Sequence, residues 1–173
     1  MSKKGFLISI TSRSKRIFSR YIWQRKEVRA TIQDSSREWI TLLACICADG
    51  SALPPGLIYQ SANKTVRSSW VDGIEAGEHS VFITSSPSGW TNNDIGLAWL
   101  EQVFDRYTKK KARQSRSYRL LILDGHGSHI TMDFIDYCDK HKILLAIYPP
   151  HSTHTLQPLD VVMFKPLSTA YLT

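Results

Sequence analysis

The sequence predicts a single α/β domain over residues 1–173, with a mixed sheet flanked by helices. Short apolar segments with the length of buried strands alternate with segments whose apolar residues recur every three or four positions. The 173 residues include 42% hydrophobic and 10% aromatic side chains, which suffices for one core and would be crowded as two domains. No apolar run approaches the ~20 residues needed to cross a bilayer, so neither a membrane-spanning nor a secreted protein is expected.

The first half of the chain supplies the leading strands. Trp39–Ala48 is an apolar, partly β-branched run suited to a buried strand, and Asp49–Gly50 predicts a hairpin turn after it. Leu57–Tyr59 is expected to return as the partner of that strand, and Ser80–Thr84 to form another short strand. The segment 61–79 between them has little periodicity and is expected to be irregular.

The second half alternates between helix and strand. Thr91 and Asp94 have capping-box spacing, which predicts a helix from about Asn92 to Thr108. A strand, a helix with its apolar positions on one face, another strand and a last helix follow. Their predicted extents are Arg119–Leu123, 130–138, Ile143–Tyr148 and Val161–Leu172, the last interrupted early by Pro166.

Two aspartates stand where this order brings chain segments together. Asp124 ends the strand Arg119–Leu123, and Asp160 begins the last helix after a proline-rich turn. Because a sheet holds its strand ends rigidly, carboxylates placed there can converge without the entropy cost of ordering a loop. Asp124 and Asp160 are therefore the candidate site residues. The structural alternative for Asp124 is a turn residue that hydrogen-bonds its own backbone.

The segments around these aspartates carry a specific resemblance. Leu121–His129 (LILDGHGSH) and Pro149–Asp160 (PPHSTHTLQPLD) resemble the pogo-like branch of the DDE superfamily endonucleases, which is related to mariner-type transposases and to the centromere-protein-B-like group. Gly5–Phe6, Ala48–Gly50 and Ser88–Thr91 occur at suitable intervals for this branch. The resemblance implies an RNase H-like fold, and we expect it to be truncated here at the first strand and the last helix.

The resemblance also implies DNA cleavage and strand transfer that depend on Mg²⁺ or Mn²⁺. Hard divalent ions neutralise phosphodiester charge and prefer oxygen ligands, which explains a family site built from carboxylates. By the resemblance, Asp124 matches the second catalytic and metal-binding carboxylate and Asp160 the third. The first should come from an Asp-Glu pair one residue before Gly5, and Ser2 and Lys3 stand at those positions. We therefore expect the first catalytic carboxylate to be absent, metal binding to be weak and the chain to be inactive.

Four histidines and a glutamine lie close to these aspartates in the sequence. We expect them to orient the carboxylates or to hold the neighbouring turns in shape. They are His126, His129, His151, His154 and Gln157. The histidines occur in two pairs with H-x-x-H spacing, so a zinc site is an alternative for them.

Positive charge is clustered in a chain whose formal net charge is +7. Such clusters attract polyanions through Coulomb forces and counterion release. The candidate nucleic-acid-binding residues are Arg13, Lys15, Arg16, Arg20, Arg25 and Lys26. A second basic cluster over 109–119 could contact phosphate or form a solvated linker.

Two classes of function stay open on the sequence alone. The first is a metal-dependent DNA endonuclease or strand transferase. The second is a non-catalytic module from a domesticated transposase that binds nucleic acid or another partner. DNA, contacted through its backbone, is the expected ligand, and the resemblance implies a nuclear location. The odd number of cysteines, 3, favours reduced thiols.

Overall fold

The computed structural model describes residues 1–8, 38–63, 65–75, 78–113, 116–124, 130–149 and 156–172. Its larger sheet has four strands in the order β1-β2-β3-β4. They are β1 (Ser2–Ile8), β2 (Glu38–Ala44), β3 (Gly56–Gln60) and β4 (Phe82–Ser86). The first three are antiparallel neighbours, whereas β3 and β4 run parallel, so the sheet is mixed as predicted. The β4 strand begins two residues later than the sequence suggested.

A second sheet consists of two parallel strands, β5 (Arg119–Leu123) and β6 (Ile143–Ile147). The bounds of β5 are those predicted, because its apolar run stops at a charged residue. The two sheets meet at Met1, whose amino group donates a hydrogen bond of 2.7 Å to the carbonyl oxygen of Ile122. The beginning of β1 therefore lies beside β5.

Three longer helical segments flank the sheets, and one 3-10 turn, Ser68–Trp70, lies between β3 and β4. The first, α1, combines an α-helical part, Asn93–Trp99, a π-helical part, Leu100–Asp105, and a last turn, Arg106–Thr108. Its N-cap is Asn92, whose side chain accepts a hydrogen bond from the Ile95 backbone N–H at 2.9 Å. The sequence predicted Thr91 as the N-cap, which was wrong by one residue. Threonine and asparagine are both favoured N-cap residues, so the pattern did not distinguish Thr91 from Asn92.

The second helix, α2 (Met132–Lys140), starts at Thr131, whose side chain accepts from the Phe134 backbone N–H. The last, α3, joins a π-helical part, Leu159–Phe164, to an α-helical part, Lys165–Leu172. Its wide first turns stand directly before Pro166, which lacks an N–H and crowds the preceding turn of an α-helix. The helix therefore continues through the proline instead of breaking there.

Two apolar layers cover the two faces of the larger sheet. On one face, Leu43 and Ile58 pack with α1, α2 and the smaller sheet through a core that includes Trp99, Leu121 and Phe134. On the other face a smaller cluster holds α3 against β2, and its members are Leu42, Ala44, Leu159 and Phe164. Helices thus lie on both faces of strands, which confirms the predicted RNase H-like α/β fold. None of the helices in the described ranges is long and apolar enough to span a membrane.

A buried ion pair ties β5 to α1. Arg119 Nη1 lies 2.7 Å from Asp105 Oδ1, with side-chain exposures of 7% and 8%. The guanidinium also donates to Thr108 Oγ1 at 3.1 Å and to the His141 carbonyl at 2.7 Å. Burial and the charge of Asp105 raise the pKa of Tyr137 to about 12, so its hydroxyl stays protonated and donates to Asp105. Arg119, counted in the second basic cluster, is therefore a core residue.

A close approach of β1 to an indole ring requires glycine. A methyl group at Gly5 would overlap the ring of Trp39, which lies across the β1–β2 pair. Gly89 approaches Cδ1 of the same tryptophan with φ +72, a conformation that favours glycine. Trp39 in turn contacts Trp90, with ring centroids 4.8 Å apart. Trp90 is nevertheless 43% exposed, so it is a half-covered surface ring, in contrast to Trp99, which is 1% exposed.

Removing one partner of the buried pair should be costly. We expect Asp105→Ala to lower the free energy of unfolding by about 3 to 5 kcal/mol, since it leaves Arg119 charged and buried without its counter-ion. Urea unfolding monitored by tryptophan fluorescence measures this loss. The double variant Asp105→Leu/Arg119→Met is the matched control and should recover most of the stability. Equal losses in the single and double variants would contradict this account.

Gly5→Ala should also destabilise the domain. The added methyl group has to displace the Trp39 indole from β1, so we expect a loss of about 1 to 3 kcal/mol. Thermal unfolding followed by near-ultraviolet circular dichroism reports both the stability and the tryptophan environment. Gly73→Ala is a suitable comparison, because a methyl group there meets nothing within 4 Å. A Gly5→Ala variant as stable as Gly73→Ala would show that the contact is unimportant.

Candidate active site

The two predicted aspartates stand at the ends of different elements. Asp124 directly follows β5, whose residues Leu121 and Leu123 are buried in the main core and fix the strand. Asp160 lies in the first turn of α3, and its backbone N–H donates to the Gln157 carbonyl at 3.1 Å. Leu159 anchors that turn, because its side chain is only 4% exposed in the cluster beneath β2. Both carboxylates are therefore held by packed elements.

The electrostatics place these two carboxylates in one site. Burial raises the pKa of Asp160, and the negative charge of Asp124 raises it further. This second effect requires the two side chains to be close enough to repel each other, since charge interactions fade with distance in water. Asp124 and Asp160, which are 36 positions apart in the chain, thus lie close enough in the fold for their charges to interact.

Two lysines of β1 stand beside the carboxylates. Burial lowers the pKa of the Lys3 ammonium, and the nearby charge of Asp124 opposes that shift. The charge of Lys4 likewise opposes the raised pKa of Asp160. The hydrogen bond between Met1 and Ile122 explains why Lys3 lies near Asp124. Lys3 is two residues after Met1, and Asp124 is two residues after Ile122. Lys3 therefore lies next to the carboxylate that follows β5, so β1 and β5 run in the same direction.

Strand alternation sorts the β1 side chains between the two faces of the sheet. Ser2 is paired with Ala44 and Lys4 with Leu42, so both point to the face covered by α3. Ser2 is 1% exposed, and its Oγ has no hydrogen-bond partner among the residues that the structure describes. The short, hydroxyl-bearing side chain of Ser2 thus points to the face of the sheet on which α3 and Asp160 lie. The electrostatic interaction between Lys4 and Asp160 was not predicted, because it depends on how α3 packs against the sheet.

Gln157 and four histidines were predicted to support the two aspartates, and of these five residues Gln157 lies within the described ranges. Its side chain is 2% exposed, and neither amide atom has a partner in the described part of the chain. Its carbonyl oxygen accepts from the N–H groups of Asp160 and Val161, which begins the turn that carries Asp160. The supporting role of Gln157 stays a prediction, as do the roles of the two aspartates.

The remaining predicted residues fall outside the described ranges. For the histidines, these are His126, His129, His151 and His154. For the basic cluster, they are Arg13, Lys15, Arg16, Arg20, Arg25 and Lys26. The structure therefore tests neither the zinc alternative nor the predicted nucleic-acid contacts of that cluster.

The donors in the described site do not fit a pair of divalent ions. Two carboxylates with two ammonium groups nearby carry no net charge, and Lys3 repels a cation beside Asp124. Within the described ranges, no group of three His, Cys, Asp or Glu side chains could hold a metal ion. Ser2, at one of the two positions where the resemblance implies the first acidic pair, carries a hydroxyl, and hydroxyls are weaker ligands for Mg²⁺.

Comparisons with known proteins agree with this architecture. A family model described as DDE superfamily endonuclease matches residues 36–173. A curated protein from Cochliobolus lunatus, named MFS-type transporter clz9, is 40% identical over 148 residues, covering 86% of this chain and 15% of that protein. A mouse protein, pogo transposable element with KRAB domain, is 32% identical over 75% of this chain and 19% of its own length. A human pogo transposable element with ZNF domain is 24% identical over 79% of this chain and 9% of its own length.

The chain thus spans less than a fifth of each of these relatives. No solved structure matches it significantly. The family match covers most of the chain and includes β2 to β6, the three helices and both aspartates. On these grounds, and with the pogo elements among its relatives, the chain belongs to the DDE superfamily of endonucleases.

Proposed function

We propose that this chain is a transposase-derived domain that holds nucleic acid through its phosphate backbone and does not cut it. The observation that carries the proposal is the pair Ser2 and Lys3 on β1, which stands in place of the expected Asp-Glu pair and brings the charge of Lys3 near Asp124. Ancestral cleavage dependent on Mg²⁺ or Mn²⁺ is implied by the family. The site in its present form lacks the negative charge that would concentrate such ions.

The loss of cleavage follows from the charge balance of the site. In two-metal hydrolysis, carboxylates hold ions that neutralise both the attacking and the leaving oxygen of the phosphodiester. Here Lys3 and Lys4 neutralise Asp124 and Asp160 without offering a coordination site. An ammonium group can bind a phosphate oxygen, but it does not generate hydroxide from water as a metal ion does. Backbone binding without hydrolysis is the chemistry that remains.

The surface charges favour a polyanion as the ligand. Lys110, Arg113 and Arg116 of the second basic cluster are exposed, and the first cluster adds further cations in the sequence. Lys111 is partly engaged, because its ammonium forms an ion pair with Asp49 at 2.6 Å. Binding of this kind reads charge spacing and not base edges, so we propose DNA contacted through its backbone, in the nucleus, as the natural setting.

Incubation of the purified chain with supercoiled plasmid and Mg²⁺ or Mn²⁺ tests the catalytic half of the proposal. We expect no nicking above that of a buffer control. The variant Ser2→Asp/Lys3→Glu supplies the expected acidic pair, and we expect it to gain metal-dependent nicking that Asp124→Asn then abolishes. Nicking by the unmodified chain that disappears on Asp124→Asn would refute the proposed inactivity.

Fluorescence anisotropy with a labelled DNA duplex tests the binding half. Reversing two charges of the first cluster with Arg16→Glu/Arg20→Glu should weaken binding about tenfold or more at low salt. It should also reduce the slope of log K against log salt concentration by about 2, since roughly 0.9 is lost per phosphate contact. Binding should be the same for unrelated duplex sequences.

The control variant reverses the same number of positive charges at positions outside the basic clusters. Arg106→Glu/Lys140→Glu alters two exposed cations that lie outside both basic clusters. We expect the control to keep most of the salt slope. An equal effect of the two double variants would mean that only net charge matters, and strong preference for one duplex sequence would argue against backbone binding.

A further inference from the structure

Two tryptophans form an aromatic pair at the surface of the domain. The ring of Trp90 is 43% exposed, and its centroid lies 4.8 Å from that of Trp39, with an angle of 41° between the ring planes. We call these two residues the tryptophan pair. A large apolar ring that stays half exposed to water contributes less to folding than a buried ring. The exposed part of the Trp90 ring is therefore available to a ligand.

Buried hydrogen bonds hold the tryptophan pair in place. Ser86 Oγ donates to the Trp90 carbonyl oxygen at 2.7 Å, and Thr41 Oγ1 donates to the Gly89 carbonyl oxygen at 2.7 Å. Trp39 Nε1 in turn donates to Thr41 Oγ1 at 3.2 Å. Thr41 and Ser86 are both buried. Because the backbone around Trp90 and the ring of Trp39 are already fixed, a ligand that binds there costs little ordering entropy.

Polar, uncharged side chains lie next to the tryptophan pair. Gln60, Ser88 and Asn92 are exposed, and Gln60 Cβ is among the atoms nearest to Gly89. Ser88 Oγ accepts from the Trp90 backbone N–H at 3.3 Å. A specific protein–protein interface buries at least about 1,000 Å² around an apolar centre. A half-exposed ring among amides and hydroxyls is much smaller, so it fits a single planar group better than a protein surface.

The tryptophan pair adjoins the candidate site along β1. Gly5 lies under the Trp39 ring, and Lys3 is two residues before Gly5, so both residues are on the same face of the sheet. Two residues of a strand span about 7 Å. Lys3 in turn lies near enough to Asp124 for their charges to interact. The distance between the Trp39 ring and the candidate site is thus one that a single nucleotide bridges from its base to its phosphate.

The chain that adjoins the tryptophan pair is strongly basic in sequence. Leu7 is the register partner of Trp39, and Ile8 is that of Glu38, so the segment 9–37 begins and ends beside Trp39. Its charged residues are the acids Glu27 and Asp34 and the cations Arg13, Lys15, Arg16, Arg20, Arg25, Lys26, Arg29 and Arg37. A polyanion is the ligand whose charge complements this part of the chain.

On the basis of the proposed binding of a phosphate backbone, we propose that the tryptophan pair binds one unpaired base of the nucleic acid. The base stacks on the exposed part of the Trp90 ring, and the phosphate of the same nucleotide reaches Lys3. Every base has a π face, so such a site selects unpaired nucleotides without selecting a sequence. A fully paired duplex can offer a base to Trp90 only by losing a base pair, which costs free energy.

Fluorescence anisotropy with two labelled duplexes that carry the same number of phosphates tests this preference. One duplex is fully paired, and the other has a single thymine opposite an abasic site, which leaves that thymine unpaired. We expect the full 173-residue chain to bind the second duplex about tenfold more tightly, since stacking on an aromatic side chain contributes at this level. With 5-iodouracil in place of the thymine, irradiation should crosslink the base to Trp90, which mass spectrometry identifies.

Variants of the protein locate the stacking contact. Trp90→Ala should lower the affinity for the duplex with the unpaired base to that for the paired duplex, whereas Trp90→Phe should keep most of the difference. Trp70→Ala is the matched control and should keep the preference. Trp70 stacks on Tyr59, which pairs with Ile40 and so lies on the opposite face of the sheet from Trp39. The crosslink in the unmodified chain keeps the test valid if Trp90→Ala fails to fold.

The outcomes separate this proposal from the proposed function. Equal binding of the two duplexes, with no crosslink to Trp90, would overturn the stacking site and leave backbone binding intact. Binding of neither duplex would overturn both proposals. Self-association of the chain that Trp90→Ala abolishes, with no crosslink to DNA, would assign the exposed ring to a protein contact and would also refute the stacking site.

Discussion

The antiparallel ladder between β1 and β2 is the constraint on which the site depends. Its register pairs Ser2 with Ala44, and this single choice decides which β1 side chains reach α3 and which reach the main core. A shift by one residue would exchange the positions of Lys3 and Lys4. Gly5 under the Trp39 ring fixes the register further, because no other position on β1 could approach the indole so closely. The placement of charge in the site therefore follows from backbone pairing.

Under the proposed function, lysine side chains take the place of metal ions in neutralising the two carboxylates. Two carboxylates that converge repel each other, and proteins relieve that repulsion by a bound cation, by protonation or by neighbouring cationic side chains. In this chain β1 places Lys3 near Asp124 and Lys4 near Asp160. An ammonium is a compact charge on a flexible stem, so it follows a moving phosphate group more easily than it polarises a water molecule. This difference is the physical basis of the proposal that the domain binds a phosphate backbone without cleaving it.

The local sequence pattern predicted most of the strands and helices. It did not predict contacts between residues that are distant in the sequence. The strand Arg119–Leu123 was predicted with its observed bounds, because an apolar run ends there at a charge. The burial of Arg119 itself was missed, since its partner Asp105 lies on another element and the basic neighbours suggested a solvated segment. The proximity of Lys4 to Asp160 likewise depends on how α3 packs beneath β2. Sequence spacing alone carries no information on that packing.

The π-helical turn in α1 has a consequence for how this helix tolerates change in length. A π turn corresponds to an α-helix with one residue inserted, which rotates everything after it by roughly 100° about the axis. Asp105 is the last residue of that turn, and its direction toward Arg119 includes this rotation. The direction in which the later side chains of α1 point thus depends on the extra residue of the π turn. The sequence of α1 can vary in identity more freely than in number of residues, because a single deletion would straighten the turn and carry the carboxylate away from the guanidinium.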